Sequence, residues 1–135
     1  PGSWAVIEQT TETILKLAEL GHVIIVGRAA NIITADIRGV FHVRLVAPLE
    51  QRVRHAEEFY SLSPREARDF CQREDLGRQR YLKKYFKRRV DDPLLYHLTI
   101  NTGLVSYDQA AALIVAAARK EAGLTDGVAK VSRGE

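Results

Sequence analysis

Three short apolar segments, each followed at once by turn or helix signals, constrain the fold of this chain more than any other feature. They cover residues 22–26, 41–46 and 98–101, and they are rich in the β-branched residues Val, Ile and Thr. Helical patterns separate them along the chain. This alternation is typical of an α/β fold with a parallel sheet flanked by helices. We therefore predict that fold, with the strand at 22–26 buried on both faces.

The clearest helix start is the segment Ser63-Pro64-Arg65-Glu66. It combines an N-cap Ser, a Pro at the first helical position and a Glu three residues after the cap, which together form a capping box. The pattern predicts a long, polar helix over about residues 64–89, with Gly77 as a weak point near its middle.

Two more helices are predicted at the ends of the chain. Residues 5–20 carry one apolar face, and an apolar helix over 107–120 begins behind a second capping pair. Beyond it the composition changes to Gly, Thr, Asp, Lys and Ser. We expect residues 1–122 to form one folded domain and residues 123–135 a flexible tail.

The composition excludes several classes of protein. Cys71 is the single cysteine among 135 residues, so neither an intramolecular disulfide nor a cysteine zinc framework can form. The longest apolar run, residues 110–118, is too short to span a membrane, and the chain does not start with a signal-peptide pattern. Together these features predict a cytoplasmic protein without membrane contact.

The four histidines are scattered along the chain without a metal-ligand spacing, so the sequence predicts no metal site. Cys71 lies within a helical pattern, where packing is the simpler interpretation of a lone thiol.

Gly27 and Arg28 come directly after the first predicted strand. In parallel sheets, ligands bind at the carboxyl ends of the strands, and an arginine there presents a planar fork suited to phosphate. The alternative is an ordinary ion pair with a surface carboxylate.

The second candidate is the basic stretch from Arg73 to Arg89. It holds eight cations against two carboxylates, Glu74 and Asp75. Several of these cations repel each other at i,i+4 spacing in a helix, which suggests an anionic partner. A solvated basic face, a phosphate ligand and a nucleic acid, stacked on Tyr81, Tyr85 and Phe86, all agree with this pattern.

Four segments, in this order and at this spacing, resemble the cytidylate kinase-like branch of the nucleoside monophosphate kinases. They are Val23–Asn31, Val43–Arg54, the basic helix and Leu98–Thr102, and the similarity runs from about Trp4 to Ala118. The resemblance implies a P-loop NTPase fold and a transferase that moves the γ-phosphoryl group of ATP, with Mg²⁺, to a nucleoside monophosphate, with CMP as the expected acceptor.

The resemblance also implies site residues. Arg28 would hold the acceptor phosphate, and a lid helix would close over the donor phosphates. The substrate-binding set implied is Gly27, Arg28, Asn31 and Arg52. The catalytic lid set is Arg73, Arg78 and Arg80, and the donor-binding set is Asn101 and Thr102.

A glycine-rich GxxxxGK[ST] loop does not occur in the sequence. In the family, the strand that leads into this loop lies between those matching 22–26 and 41–46. We therefore expect an incomplete sheet in the carboxyl portion of a longer kinase-like protein, with this portion inactive alone.

Two other functions stay open. One is a catalytically dead, kinase-derived module that binds a partner or forms a homo-oligomer through exposed strand edges. The other is a basic helix that binds nucleic acid. Under the resemblance, the expected partner is a nucleotide, and nucleic acid is not expected.

Overall fold

The computed structural model of the chain describes residues 2–121 and 130–133. The helices are α1 (Gly2–Leu20), α2 (Ala30–Ile33), α3 (Leu49–Tyr60), α4 (Pro64–Phe86) and α5 (Tyr107–Glu121), with a 3₁₀ turn at Pro93–Leu95. The strands are β1 (Ile24–Val26), β2 (Val40–Val46), β3 (Leu98–Asn101) and β4 (Lys130–Arg133). The three strands predicted at 22–26, 41–46 and 98–101 and the three helices predicted at 5–20, 64–89 and 107–120 all form, with shifted bounds.

The four strands form one parallel sheet in the order β1-β4-β2-β3. β4 lies between β1 and β2, so that Arg133 is in register with Val26 on one side and with Val43 on the other. The sequence predicted an unfilled gap at this position and a flexible tail over 123–135. Lys130–Arg133 instead fills the gap as a strand, and residues 122–129, 134 and 135 lie outside the described part of the chain.

One face of the sheet packs against α5. Phe41, Val43 and Ile100 from β2 and β3 form a buried cluster with Ala110 and Ala118 of the helix. Alternate residues of a strand point to opposite faces, so His42 and Arg44 lie on the other face of the sheet.

A second cluster joins α3 and α4. It consists of Val53 and Ala56 from α3 with Ala67 and Cys71 from α4. The predicted packing role of Cys71 is confirmed by its burial in this cluster.

Local signals fix the two ends of α4. The Ser63 hydroxyl accepts from the Glu66 backbone N–H at 3.2 Å, and the Glu66 carboxylate accepts from the Ser63 N–H at 3.0 Å, which confirms the predicted capping box. The helix ends at Phe86 rather than at residue 89, because Lys87 adopts a left-handed backbone conformation with φ 56°.

The prediction that β1 is buried on both faces is wrong. Ile24 is 65% exposed and Val26 is 55% exposed. Both lie on the α5 side of the sheet, but α5 packs against β2 and β3 and leaves the β1 end of that face uncovered. Within the described ranges, no helix is long and apolar enough to cross a membrane.

Candidate phosphate-binding site

The turn that follows β1 has an unusual backbone. Gly27, Arg28 and Ala29 all adopt left-handed conformations, with φ values of 75°, 57° and 58°. Glycine accepts this region freely, whereas for other residues it costs about 1–2 kcal/mol each. Such strain is concentrated at functional sites, so the observed geometry marks this turn as a candidate site.

The strained turn presents Arg28 to solvent. Its side chain is exposed, and no carboxylate within the described residues pairs with it. Burial raises the pKa of the Tyr81 phenol in α4, and the positive charge of Arg28 opposes part of that rise. The guanidinium of Arg28 therefore acts electrostatically on the middle of α4.

A second group of cations surrounds Tyr96, just before β3. The Arg44 guanidinium carbon lies 5.9 Å from the centre of the Tyr96 ring, a cation–π contact. The Tyr96 hydroxyl donates to the Val90 carbonyl at 2.8 Å. Burial raises the pKa of Tyr96, while the charges of Arg44 and Arg78 lower it. Arg44 and Arg78 therefore both act on one phenol beneath α4.

Arg52 connects α3 to α4 through Asp75. Its two terminal nitrogens donate to the two Asp75 oxygens at 2.8 and 3.0 Å, and its Nε donates to the Ala47 carbonyl at 3.0 Å. Arg78 adds a longer contact to the same carboxylate at 3.3 Å. The fork of Arg52, implied by the resemblance to bind substrate, is thus directed at a carboxylate of this protein.

The three lid arginines do not lie together. A helix turns by 100° per residue, which places Arg78 on the side of the buried residues Cys71 and Leu82. Arg73 and Arg80 lie on the opposite, exposed side. The structure thus brings Arg78 to the cluster with Arg44 and Tyr96, but not Arg73 or Arg80.

Asn31 lies in α2 and is only 2% exposed. Its side-chain N–H₂ donates to the Leu95 carbonyl at 3.4 Å, while its Oδ1 is buried and accepts no hydrogen bond from the described part of the chain. This oxygen is therefore a buried acceptor without a donor among the described residues.

Asn101 and Thr102 have partners within their own turn. The Asn101 side chain accepts from the Gly103 N–H at 2.9 Å, and both the backbone N–H and the hydroxyl of Thr102 donate to the Val46 carbonyl. These contacts shape the carboxyl end of β3 against the end of β2. Binding of a donor nucleotide by these two residues remains a prediction.

Two histidines, His42 and His97, hold the start of β3 against β2. The His42 backbone N–H donates to His97 Nδ1 at 2.9 Å, and the His97 N–H donates to the His42 carbonyl at 2.8 Å. Burial of His42, together with the neighbouring His97, lowers its pKa from 6.5 to about 4. His42 is therefore neutral at physiological pH.

Sequence reasoning missed Arg44, Asp75 and Tyr96. Arg44 offered a signal, because a charged residue is unusual in an otherwise apolar parallel strand and therefore indicates a specific role. Asp75 offered a weaker one, as a carboxylate three residues before Arg78 in a basic helix. Nothing local marked Tyr96, since its role depends on the approach of two distant arginines.

The parallel sheet and its flanking helices define an α/β protein, and Arg28 lies at the carboxyl end of β1, where ligands of parallel sheets bind. The sequence profile of the cytidylate kinase-like family matches residues 4–104. This chain belongs to the cytidylate kinase-like family, and the resemblance drawn from the sequence is confirmed.

The chain is also similar to a protein of Corynebacterium glutamicum named uronate isomerase. The two are 31% identical over 107 residues, which are 79% of this chain and 20% of the relative. The chain therefore spans about one fifth of the length of this curated relative. The search for similar solved structures found no match.

Proposed function

We propose that this chain is the nucleotide-acceptor part of an ATP-dependent nucleoside monophosphate kinase, with CMP as the acceptor. Arg28 would bind the acceptor phosphate with its fork, and Arg78 and Arg44 would neutralise charge beneath the lid helix α4. Phosphoryl transfer depends mainly on positioning and on the neutralisation of phosphate oxygens, and arginines do both.

The observation that carries the proposal is the turn at Gly27, Arg28 and Ala29. Two non-glycine residues are held in left-handed conformations there, and the result is an exposed guanidinium without a carboxylate partner in the described structure. A surface ion pair would need neither the strain nor the position at the end of a parallel strand.

The buried Oδ1 of Asn31 supports the same proposal. Asn31 follows the strained turn by two residues, and its amide oxygen accepts no hydrogen bond within the described chain. A ribose hydroxyl or a cytosine amino group would supply the missing donor once the bound nucleotide displaced the groups that cover this oxygen.

The residues of this site fit phosphate better than they fit Mg²⁺. A magnesium ion needs oxygen ligands, but the two oxygens of Asp75, the carboxylate within the cluster, each accept a hydrogen bond from Arg52. We therefore derive no step through the metal from these residues.

Isothermal titration with CMP and with cytidine tests the proposal. CMP should bind and cytidine should bind far more weakly, because the contacts with Arg28 require the phosphate. The Arg28→Gln variant should lose about 10- to 100-fold in CMP affinity, the range expected for charge-assisted hydrogen bonds.

Arg38→Gln is the matched control. Arg38 is equally charged and exposed, but it lies before the amino end of β2, whereas Arg28 follows the carboxyl end of β1 in the same parallel sheet. Equal binding of CMP and cytidine, or equal losses in the Arg28 and Arg38 variants, would refute the proposal.

The uncovered face of β1 favours a second candidate function. Ile24 and Val26 expose apolar surface that a covered parallel sheet would bury. A kinase-derived module that binds a protein partner or a second copy would use this face. A stable dimer in sedimentation, combined with no heat on addition of CMP or ATP, would favour this function over the first.

A further inference from the structure

The outward side of α4 carries a continuous set of cations. We call it the basic stripe: it comprises Arg73, Arg80, Lys83 and Lys84, the C-cap residue Lys87 just past the helix, and Gly77 between the first two cations. We infer that the basic stripe binds the phosphate backbone of a nucleic acid, without sequence specificity.

The helix separates its charges by side. The buried residues Ala67, Cys71 and Leu82 define the inward side of α4, where Asp75 pairs with Arg52. All residues of the basic stripe are exposed, and no described carboxylate forms an ion pair with its cations. The cations of the stripe are therefore free of ion pairs within the described protein.

This arrangement destabilises the helix. Arg80 and Lys84 repel each other at i,i+4 within the helix. A polyanion bound along the stripe would relieve that repulsion.

Gly77 provides an independent indication of a ligand. Glycine in the interior of a helix is less stable than alanine, and it is often retained where another molecule approaches the backbone. A Cβ atom built on Gly77 would meet no atom of the described protein within 4 Å, so internal packing does not require the glycine. Residues 73, 77, 80 and 84 follow an i, i+4, i+7, i+11 spacing and so lie on one side of the helix. Because Gly77 has no side chain, the backbone is accessible there, between Arg73 and Arg80.

The neighbouring aromatic rings are used for packing. Trp4 lies 4.9 Å from Tyr85, and Tyr81 lies 5.4 Å from Tyr85 and 5.9 Å from Phe86, measured between ring centres. Rings engaged in this way do not provide a stacking surface for bases. The binding would therefore depend on phosphates alone.

The shape of the stripe fits a nucleic acid better than a membrane. Its helical part, from Arg73 to Lys84, extends about 16 Å at 1.5 Å per residue, along a helix whose diameter suits the major groove. A helix that lies on a membrane needs an apolar face beside its cations, and Leu76 is the large apolar residue exposed on this side. An array of cations without such a face matches a chain of phosphates.

This surface is separate from the proposed nucleotide site. Arg28 lies in the turn after β1, Arg44 in β2 and Arg78 on the inward side of α4, whereas the basic stripe lies on the outer side of that helix. The family resemblance does not imply binding of nucleic acid. The distribution of charge around α4 and the position of Gly77 support it instead.

Fluorescence anisotropy with a labelled 20-base-pair DNA duplex, over a range of NaCl concentrations, tests the inference. Contact with three or four phosphates should give a slope of log K against log salt of about −3. The double variant Arg80→Gln/Lys84→Gln should reduce the affinity at least tenfold and flatten the slope by about 2. The control Arg38→Gln/Arg54→Gln removes the same charge elsewhere and should have a much smaller effect.

Gly77→Ala gives the sharper test, because two measurements should move in opposite directions. The added methyl group should raise Tm by several degrees through helix propensity, yet weaken DNA binding severalfold by blocking close approach. Gln79→Ala, an exposed change in the same helix, should leave DNA binding unchanged.

A salt-independent affinity, equal losses in the two double variants, or unchanged DNA binding by Gly77→Ala would each overturn the inference. Displacement of the DNA by polyglutamate at equal charge concentration would also overturn it, in favour of an acidic protein. CMP titration with the stripe variants separates the two proposals. If the stripe variants bind CMP with wild-type affinity, a negative result for DNA binding leaves the proposed nucleotide site intact. Likewise, a negative result for CMP binding leaves the basic stripe intact if DNA still binds.

Discussion

The contact between Arg52 and Asp75 allows a prediction that separates a structural role for Arg52 from a substrate-binding role. Family resemblance implies that Arg52 binds substrate, but its fork is directed at Asp75 and its Nε at the Ala47 carbonyl. We expect the change Arg52→Ala to destabilise the fold, and the double variant Arg52→Ala/Asp75→Ala to lose less than the sum of the two single variants.

The magnitude follows from the geometry. The two side chains are 36% and 30% exposed, which places the pair between a surface salt bridge and a buried one. An exposed pair contributes up to about 1 kcal/mol, and hydrogen bonds to charged groups about 1.5–3 kcal/mol when shielded from water. We therefore expect a coupling energy of about 1.5 kcal/mol, to which the lost contact with Ala47 adds about 1 kcal/mol in Arg52→Ala.

The assay is urea denaturation at pH 7, followed by far-UV circular dichroism, for the wild type, both single variants and the double variant. A loss of about 2.5 kcal/mol in Arg52→Ala corresponds to a midpoint shift of about 1 M urea for a domain of this size. The double-mutant cycle then isolates the pairwise energy.

A coupling energy near zero would show that the contact contributes nothing to folding. A loss of CMP affinity in Arg52→Ala, without any loss of stability, would return Arg52 to the substrate-binding set. The variant Asp75→Ala serves as a second check, because it frees the Arg52 fork and should not weaken CMP binding if Arg52 is structural.

Two further predictions concern pH and packing. Burial lowers the pKa of His42 to about 4 from 6.5, so the neutral ring stabilises the fold above pH 6.5, and that contribution is lost as the pH falls from 6.5 to 4. The full pKa shift corresponds to about 3 kcal/mol of unfolding free energy, of which we expect about half after solvent screening. The variant His42→Phe should reduce the dependence of the unfolding free energy on pH, measured by denaturation from pH 7 to pH 4. An unchanged dependence would contradict the assignment to His42. The variant Gly103→Ala would place a Cβ 2.7 Å from Pro48 Cδ and 2.9 Å from Asn101 Oδ1. We expect this crowding to lower the unfolding free energy by about 1–3 kcal/mol. A stability equal to that of the wild type would show that this turn is loosely packed.

The local features of the fold could be predicted from the sequence because they depend on neighbouring residues. The capping box at Ser63 and Glu66 is an example, since both of its hydrogen bonds lie within four consecutive residues. The position of Arg28 after a strand is another.

The errors arose where distant segments decide the outcome. Whether Ile24 is buried depends on how far α5 extends over the sheet, which the type of the side chain does not reveal. Lys130–Arg133 has a polar composition that suggested a tail, and only the two strands on either side make it a strand. In the candidate site, Arg28 could be predicted from its position after a strand, but the action of Arg44 and Arg78 on Tyr96 depends on how segments distant in sequence pack together.

The location of β4 has a consequence for the synthesis of the protein. In the described structure β1 pairs with β4 alone, so β1 joins the sheet through a strand about a hundred residues later in the chain. At a rate of roughly 5–20 residues per second, the ribosome needs several seconds between these two segments. During that interval the apolar segment of β1 has no strand to pair with. We expect this exposed segment to be a binding site for chaperones that act on the nascent chain.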